Sequence, residues 1–422
     1  MIDAARSWWR AKCGPPDFLW LWASDSVSVF GSEITLLALP LTAVLLLHAS
    51  PQEMGVLVAM ELLPYGLFSL HAGAWVDRWR KLPILQFAAL SRSVLLLTIP
   101  LCAAIGVLRL ELLCIVAFAL STHAVFVDIA YQALLPRLVA RDELVRANAR
   151  FGLTESAAGI VGPGAAGLLL QWLTAPMVIV ADAFAMFGAG MLLRRLRFDE
   201  PRPPQPLATT TLRQEIVQGL RVVAADPILR WSAVMIAAWQ FLKHMFLTIF
   251  MLFAVHDAGL SASGVGFVSS MIGLGFLLSS LSVKRLSDRI GLGATMLVGL
   301  ALATLCWGLS ALVRGPGPLA MAELAVAMAG EGLGTGLLCL SFVSLRQVIA
   351  PADCLGRVIA SFRFLTLTTA PLGALLGGML GELIGLRQTL ALTSLAGLLV
   401  VGVASLYSPM LGFRPRPPAI QQ

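Results

Sequence analysis

Several charged side chains lie inside long apolar runs of this sequence, where an ionisable group is costly to bury. A carboxylic acid in such a place can exchange a proton or contact a solute, and a base can neutralise it. Glu331 also permits a structural interpretation, as a hydrogen-bonded acid between closely packed helices. Five residues are the candidates for proton coupling or for the wall of a solute cavity: Asp25, Glu33, Lys243, His244 and Glu331.

The sequence gives little support to other kinds of chemistry. The six cysteines contain no Cys-x-x-Cys pair, and the five histidines do not have the spacing of metal ligands. The glycines around Glu331 lack the Lys-Ser/Thr pair of a phosphate-binding loop. We therefore expect no metal, no cofactor and no enzymatic activity, and a membrane sensor without transport remains as an alternative.

The composition indicates an integral membrane protein. Of the 422 residues, 58% are hydrophobic and 13% are charged, and the mean hydropathy is +0.86, which excludes an ordinary soluble domain. Twelve apolar runs are each long enough to cross a bilayer as a helix. Most basic residues fall in loops on one side, so the net charge of +7 reflects membrane orientation and not nucleic-acid binding. We expect a multi-pass protein of the inner membrane with both termini in the cytoplasm.

The two halves of the chain repeat one pattern. Asp77-Arg78 recurs as Asp288-Arg289, 211 positions later, although chance matches between Leu- and Gly-rich segments are the alternative. We expect an all-α membrane fold of twelve transmembrane helices in two pseudo-symmetric six-helix bundles. The expected segments are an N-terminal bundle at 1–195, a cytoplasmic Pro-rich linker at 196–227 and a C-terminal bundle at 228–422.

The same offset relates the charged residues of the first and seventh apolar runs. Lys243 and His244 occupy the positions equivalent to Ser32 and Glu33. We therefore expect an acid and a base near the same depth. Protonation of Glu33 would release Lys243 and shift a conformational equilibrium, and a static structural pair is the alternative.

A charged loop, Gly73-Ala-Trp-Val-Asp77-Arg78-Trp-Arg80-Lys81, lies between the second and third apolar runs. Its basic residues place it at the cytoplasmic surface. The loop resembles the Gly-x-x-x-Asp-Arg-x-Gly-Arg-Arg pattern of the major facilitator superfamily. Gly73, Asp77 and Arg78 match this pattern. Arg80 replaces the second glycine, and Lys81 supplies the next basic residue.

The resemblance implies that this loop is part of a gate. Family members with this loop pair it with an acid in the fourth span, which implies that Asp128 pairs with Lys81 or Arg78 in the outward-facing state. An acid that reaches the membrane surface without a gating role is the alternative. The repeat at an offset of 211 makes Asp288 and Arg289 the expected counterparts in the second half.

Two further segments resemble exporters of this superfamily. Residues 135–148 resemble the branch that contains the enterobactin exporter and macrolide efflux proteins. Gly162-Pro163, with Gly167, resembles the Gly-Pro antiporter signature, and a packing kink without influence on direction is the alternative.

These similarities imply a monomeric secondary active transporter in the lipid bilayer. It would export an amphipathic small molecule (a drug, a siderophore or a natural product) in exchange for protons by alternating access. An importer of a small solute on the same fold is the alternative.

Overall fold

The computed structural model of the chain describes residues 16–140, 143–198, 200, 212–350 and 355–412. Within these residues the chain forms thirteen α-helices and one short 3-10 helix, and no strand. A single segment in a bilayer can satisfy its own backbone hydrogen bonds only as a helix. The expectation of an all-α membrane fold is confirmed.

The helices follow one another along the chain with mostly short connections. They are α1 (Pro16–Leu45), α2 (Pro51–Arg78), α3 (Lys81–Ala104), α4 (Leu110–Leu138), α5 (Leu144–Leu169), α6 (Ala175–Leu193), α7 (Leu212–Ala225), α8 (Pro227–His256), α9 (Ala262–Ile290), α10 (Leu292–Leu312), α11 (Pro318–Ile349), α12 (Leu355–Ile384) and α13 (Leu386–Tyr407), followed by the 3-10 helix Pro409–Gly412.

All of these helices except α7 are long enough to cross a bilayer. Ten helices in the described part of the chain meet the requirement in both length and hydropathy. Helices α2 and α5 have 28 and 26 residues. At about 1.5 Å per residue, each exceeds the roughly 30 Å thickness of the hydrocarbon core. The count of twelve long helices agrees with the twelve predicted spans.

The helix boundaries follow the repeat found in the sequence. Helix α1 begins at Pro16 and α8 at Pro227, whereas α5 begins at Leu144 and α12 at Leu355. Both pairs of positions are 211 residues apart, and the starts of α2 and α9, of α3 and α10, and of α6 and α13 have the same offset. One helical plan is therefore used twice.

The chain divides into two compact units, Met1–Ala49 with Met60–Leu207, and Ser50–Ala59 with Ala208–Gln422. In the first unit α1 packs against α5 and α6, and α3 packs against α4 and α6. In the second unit the equivalent pairs pack in the same way: α8 against α12 and α13, and α10 against α11 and α13. Packing inside each unit thus follows the repeat. The boundaries predicted for the bundles and the linker stay a prediction.

The segment predicted as a polar linker contains a helix that the composition did not predict. Helix α7 has 14 residues and packs against α8 and α12. Apolar residues recur in it every three or four positions, and Val223 is buried. Asp226 then starts α8, because its carboxylate accepts hydrogen bonds from the amides of Ile228 and Leu229. The Pro-rich run at 201–206 lies outside the described residues.

Candidate functional site

A cavity of about 1020 Å³ lies within the first unit, between helices α1 to α5. Like charges in a site of low dielectric repel one another, so an acidic cavity gains from binding protons or a cation. No group of three or more His, Cys, Asp or Glu residues in the described part of the chain is placed to hold a metal ion. Five carboxylate side chains line the cavity: Asp25, Glu33, Glu61, Asp128 and Glu155.

Helix α1 presents a largely polar face to this cavity. Asp25, Ser28, Ser32 and Leu36 all line it and are three or four positions apart, so they share one side of the helix. The Ser32 hydroxyl donates to the Ser28 carbonyl oxygen at 2.8 Å. This internal bond lets a polar side chain lie in a membrane span at little cost.

Glu33 lies at a close approach of α1 and α5. A methyl group placed on Gly162 would collide with the Glu33 side chain, whereas Gly159 has open space around it. Pro163 and Gly167 are buried within α5. The Gly162-Pro163 motif therefore permits α5 to pack directly on the acid. Its role as an antiporter signature stays a prediction.

Sequence reasoning did not select Glu61 and Glu155 for the site. Glu155 precedes Gly162 by seven residues, which is two helical turns, so the two lie on one face of α5. That spacing is the signal that identifies Glu155. Glu61 has no comparable signal beyond being an acid in an apolar run.

Arg92 is the only basic side chain among the described residues that line the cavity. Its guanidinium donates to the Ser32 hydroxyl at 2.9 Å and lies 3.5 Å from the Asp182 carboxylate. Asp182 is fully buried and also accepts a hydrogen bond from the Thr35 hydroxyl at 2.6 Å. Because Asp182 on α6 balances its charge, Arg92 does little to offset the five acids.

The second unit holds a separate buried ion pair. The Lys243 ammonium on α8 lies 4.0 Å from the Glu331 carboxylate on α11, which is longer than a hydrogen bond. Glu331 is 1% exposed, and the Thr335 hydroxyl donates to the same carboxylate oxygen at 2.8 Å. The ammonium also lies 4.9 Å from the centre of the Trp239 ring, a cation–π contact. Lys243 therefore has two partners for its charge.

The acid that lies next to Lys243 within its own unit is Glu331, whereas the sequence predicted Glu33 as its partner. A pair between Lys243 and Glu33 would join the two units, and it stays a prediction. Within the second unit Lys243 pairs with Glu331. His244 Nδ1 lies 2.9 Å from the carbonyl oxygen of Gln240, one turn earlier on α8. This contact is local to the helix, and a role of His244 in coupling also stays a prediction.

The charged loop between α2 and α3 is short, since α2 ends at Arg78 and α3 begins at Lys81. Arg78 and Arg80 are exposed, whereas Lys81 is 1% exposed and donates from Nζ to the Trp79 carbonyl oxygen at 2.9 Å. The pairing of Asp128 with Lys81 or Arg78 stays a prediction.

The remaining members of the predicted gate are Gly73, Asp77, Asp288 and Arg289. Beyond their place in α2, Gly73 and Asp77 lie outside the residues whose surroundings the structure describes. Asp288 and Arg289 are exposed in the last turn of α9. Their position matches the end of α2 in the repeat, and their gating role stays a prediction.

Glu200 is a buried acid that sequence reasoning missed. Its carboxylate accepts hydrogen bonds from the backbone amide of Leu82 at 3.0 Å and from Arg137 at 3.1 Å. An acid at a helix start satisfies an amide that has no partner within the helix. Glu200 thereby joins the start of α3 and the end of α4 to the segment that follows α6. No local spacing signals these contacts, because the partners are 118 and 63 residues away in sequence.

Comparison with known proteins decides the family. A family model described as Major Facilitator Superfamily matches residues 21–366, which is most of the chain and includes both halves. The chain belongs to the major facilitator superfamily. This confirms the family that the charged loop resembles and the prediction of a transporter rather than an enzyme.

Efflux pumps are among the superfamily relatives of this chain. The multidrug efflux pump Tap of Mycolicibacterium fortuitum is 26% identical over 389 residues, which cover 90% of this chain and 93% of Tap. The enterobactin exporter EntS of Shigella flexneri is 28% identical over 304 residues, which cover 70% of this chain and 69% of EntS. The predicted resemblance to an exporter branch is thus confirmed at low identity.

Solved structures of superfamily transporters share the fold. A bacterial homologue of the iron transporter ferroportin, in an inward-facing state, has a TM-score of 0.72 at 15% identity and covers 93% of this chain and 98% of its own. The nucleoside transporter NupG has a TM-score of 0.71 at 13% identity and covers 95% and 100%. The protein is a multi-pass membrane transporter of the major facilitator type.

Proposed function

We propose that this transporter exports an amphipathic, positively charged small molecule from the cytoplasm in exchange for protons. The observation that carries the proposal is the cavity of about 1020 Å³, with five carboxylates and one arginine that Asp182 already balances. Such a cavity favours a cation over an anion. The two efflux relatives support the outward direction.

The exchange follows from competition for the same carboxylates. An acid in the cavity binds either a proton or the charged group of the substrate, because both neutralise the same negative charge. Substrate entering from the cytoplasm displaces protons, and protons entering from the other side displace substrate. The protonated protein and the substrate-bound protein each stabilise the conformation, inward-facing or outward-facing, for which they have the higher affinity. Alternating access requires this difference in affinity. Glu33 and Asp25 are the first acids that we assign to this exchange.

The same wall accommodates the apolar part of the substrate. Leu39, Leu62 and Phe151 line the cavity together with the acids. A few charged groups among apolar side chains suit an amphipathic ligand, because the polar groups orient it and the apolar surface supplies contact area.

The orientation and the gate complete the proposal. We place the protein in the inner membrane as a monomer with both termini and the Arg78–Lys81 loop in the cytoplasm, because the basic residues cluster in loops on that side. Asp128 and this loop would lock the outward-facing state.

Membrane vesicles test this function. Everted vesicles with an acidic interior should accumulate tetraphenylphosphonium, a lipophilic cation, more than vesicles without the protein. A protonophore should abolish the difference. Accumulation in right-side-out vesicles alone would favour the importer and contradict the proposed direction. Transport of a catecholate anion in place of the cation would contradict the proposal of a positively charged substrate but would be consistent with export.

A further inference from the structure

A second cavity of the first unit has a different character. It measures about 800 Å³, lies between the α2–α3 loop, α3 and α4, and shares no lining residue with the carboxylate cavity. Two of its aromatic side chains are strongly exposed, Phe87 at 72% and Trp79 at 57%. Phe87 lies in the transmembrane helix α3, where an exposed apolar side chain faces lipid, and Trp79 lies in the loop before that helix. The cavity therefore opens towards the bilayer.

One end of this cavity is basic. Arg78 and Arg80 both line it and are exposed. Among the side chains whose surroundings the structure describes, a set that leaves out Asp77, neither arginine has an ion-pair partner. Two guanidinium groups at a membrane surface form a site for a phosphate group. Trp79 between them is the kind of residue that marks the interface between headgroups and hydrocarbon.

The other end of the cavity is apolar. Phe87 lies six residues after the start of α3 at Lys81, which is about 9 Å along the helix axis. Phe126 on α4 and Ile84 also line this part. His123 is the polar group nearby, and its Nε2 is already hydrogen-bonded to Ser91 at 2.9 Å. The apolar end thus presents hydrocarbon surface at the depth of the upper acyl chains.

We propose that this cavity binds an anionic phospholipid. The phosphate contacts Arg78 and Arg80, and one acyl chain lies along Phe87 and Phe126. The change from basic to apolar over about 9 Å matches the step from headgroup to hydrocarbon in a bilayer. The positive charge excludes the cationic substrate proposed for the other cavity. The lipid site therefore stands independently of the proposed transport activity.

Binding of single lipids to the purified full-length protein tests the site. The protein in neutral detergent is titrated with phosphatidylglycerol or phosphatidylcholine, and bound lipids are counted by native mass spectrometry. Phosphatidylglycerol should bind more tightly, and Arg78→Gln or Arg80→Gln should each weaken it by about fivefold. Phe87→Ala should weaken both lipids, because it removes contact with the acyl chain.

Matched variants separate this cavity from general attraction to the membrane surface. Arg285 and Leu281 are exposed on α9, outside the cavity, so Arg285→Gln and Leu281→Ala should leave binding unchanged. Equal affinity for the two lipids would overturn the proposal, and so would an equal loss in Arg285→Gln. Full displacement of the lipid by inorganic phosphate, with no effect of Phe87→Ala, would show an anion site instead of a lipid site. Tetraphenylphosphonium bound in this cavity would also contradict the proposal.

Discussion

Glu33 brings together the properties expected of a group that exchanges a proton for a substrate. It lies in a membrane-spanning helix, lines a cavity with four other acids and packs against the glycine of α5 that precedes Pro163. Removing the charge of one acid leaves the shape of the wall nearly unchanged. A carboxamide replacement therefore tests the charge and not the packing.

Glu33→Gln should reduce proton-driven accumulation of tetraphenylphosphonium in everted vesicles by about tenfold, the factor that corresponds to one charge-assisted contact of about 1.5 kcal/mol. Glu111→Gln is the matched control, because Glu111 is an exposed acid in the first turn of α4 and does not line the cavity. Accumulation is measured at equal amounts of protein in the membrane. Equal activity of the two variants would show that Glu33 takes no part in the exchange of protons for the cation.

The buried pair of Lys243 and Glu331 makes a prediction about stability. Lys243→Met leaves the buried Glu331 carboxylate without its cation, so the variant should be destabilised by about 1–3 kcal/mol. The double variant Lys243→Met/Glu331→Gln removes both charges and should recover most of that loss. Thermal unfolding in detergent measures the three proteins, and a double variant as unstable as the single one would show that the pair does not couple.

The acids of the cavity show what sequence can and cannot say about single residues. Asp25 and Glu33 were predicted for a cavity because an acid in an apolar run is costly to bury, whereas Asp128 was predicted for the gate. The cavity also contains Glu61, which is an acid in an apolar run as well, but no motif or spacing in the sequence assigns it to this site. Glu200 was missed because its partners are distant in sequence and the segment around it is polar.

At the scale of helices, the close packing of α1 and α5 depends on the absence of a side chain at Gly162. A residue at 162 larger than glycine would push α5 away from α1, because the space is taken by Glu33. Gly159 is on the same helix and has open space around it. The two glycines therefore form a natural pair for testing whether this spacing matters for transport.

Gly162→Ala should lower the stability by about 1–3 kcal/mol, because the added methyl group collides with Glu33. It should also lower transport of the cation. Gly159→Ala should preserve transport and leave stability unchanged or slightly raised, since alanine favours a helix over glycine. Thermal unfolding and vesicle transport on the same preparations measure both effects. Normal transport by a stable Gly162→Ala protein would contradict a role for this crossing.

Helix positions were largely predictable because apolar runs and their polar borders mark a membrane span. Two features were not. Helix α7 is too short and too polar to resemble a span, and its apolar face needs a partner in α8 and α12. Helix α12 begins at Leu355, well before its longest apolar run, because a helix can continue beyond the hydrocarbon.

At the scale of the whole molecule, the repeat at 211 residues is the feature that relates the two halves. It was readable in the sequence because the charged helix ends recur, and the helix starts of the structure keep the same offset. The repeat also makes a prediction about the membrane. Equivalent loops of the two halves should face the same side, since the described residues of each half form six long helices.

Labelling of single cysteines tests this orientation. In a variant lacking the six native cysteines, Arg80→Cys and Arg289→Cys should react with an impermeant maleimide only from the cytoplasmic side. Arg109→Cys and Arg314→Cys should react only from the opposite side, because each lies at the other end of the adjacent helix. Positions 80 and 289 on different sides would contradict the repeat as a description of the membrane topology.

Exchange of protons for a cation at the acids of the first unit requires that binding of the cation releases protons, and this release can be measured. Tetraphenylphosphonium is added to the purified protein in weakly buffered solution near neutral pH, and released protons are counted with a pH indicator. The wild-type protein should release protons in proportion to the cation bound, and Glu33→Gln should release fewer. Saturable binding of the cation without proton release would show that the cation and the protons do not compete for these acids.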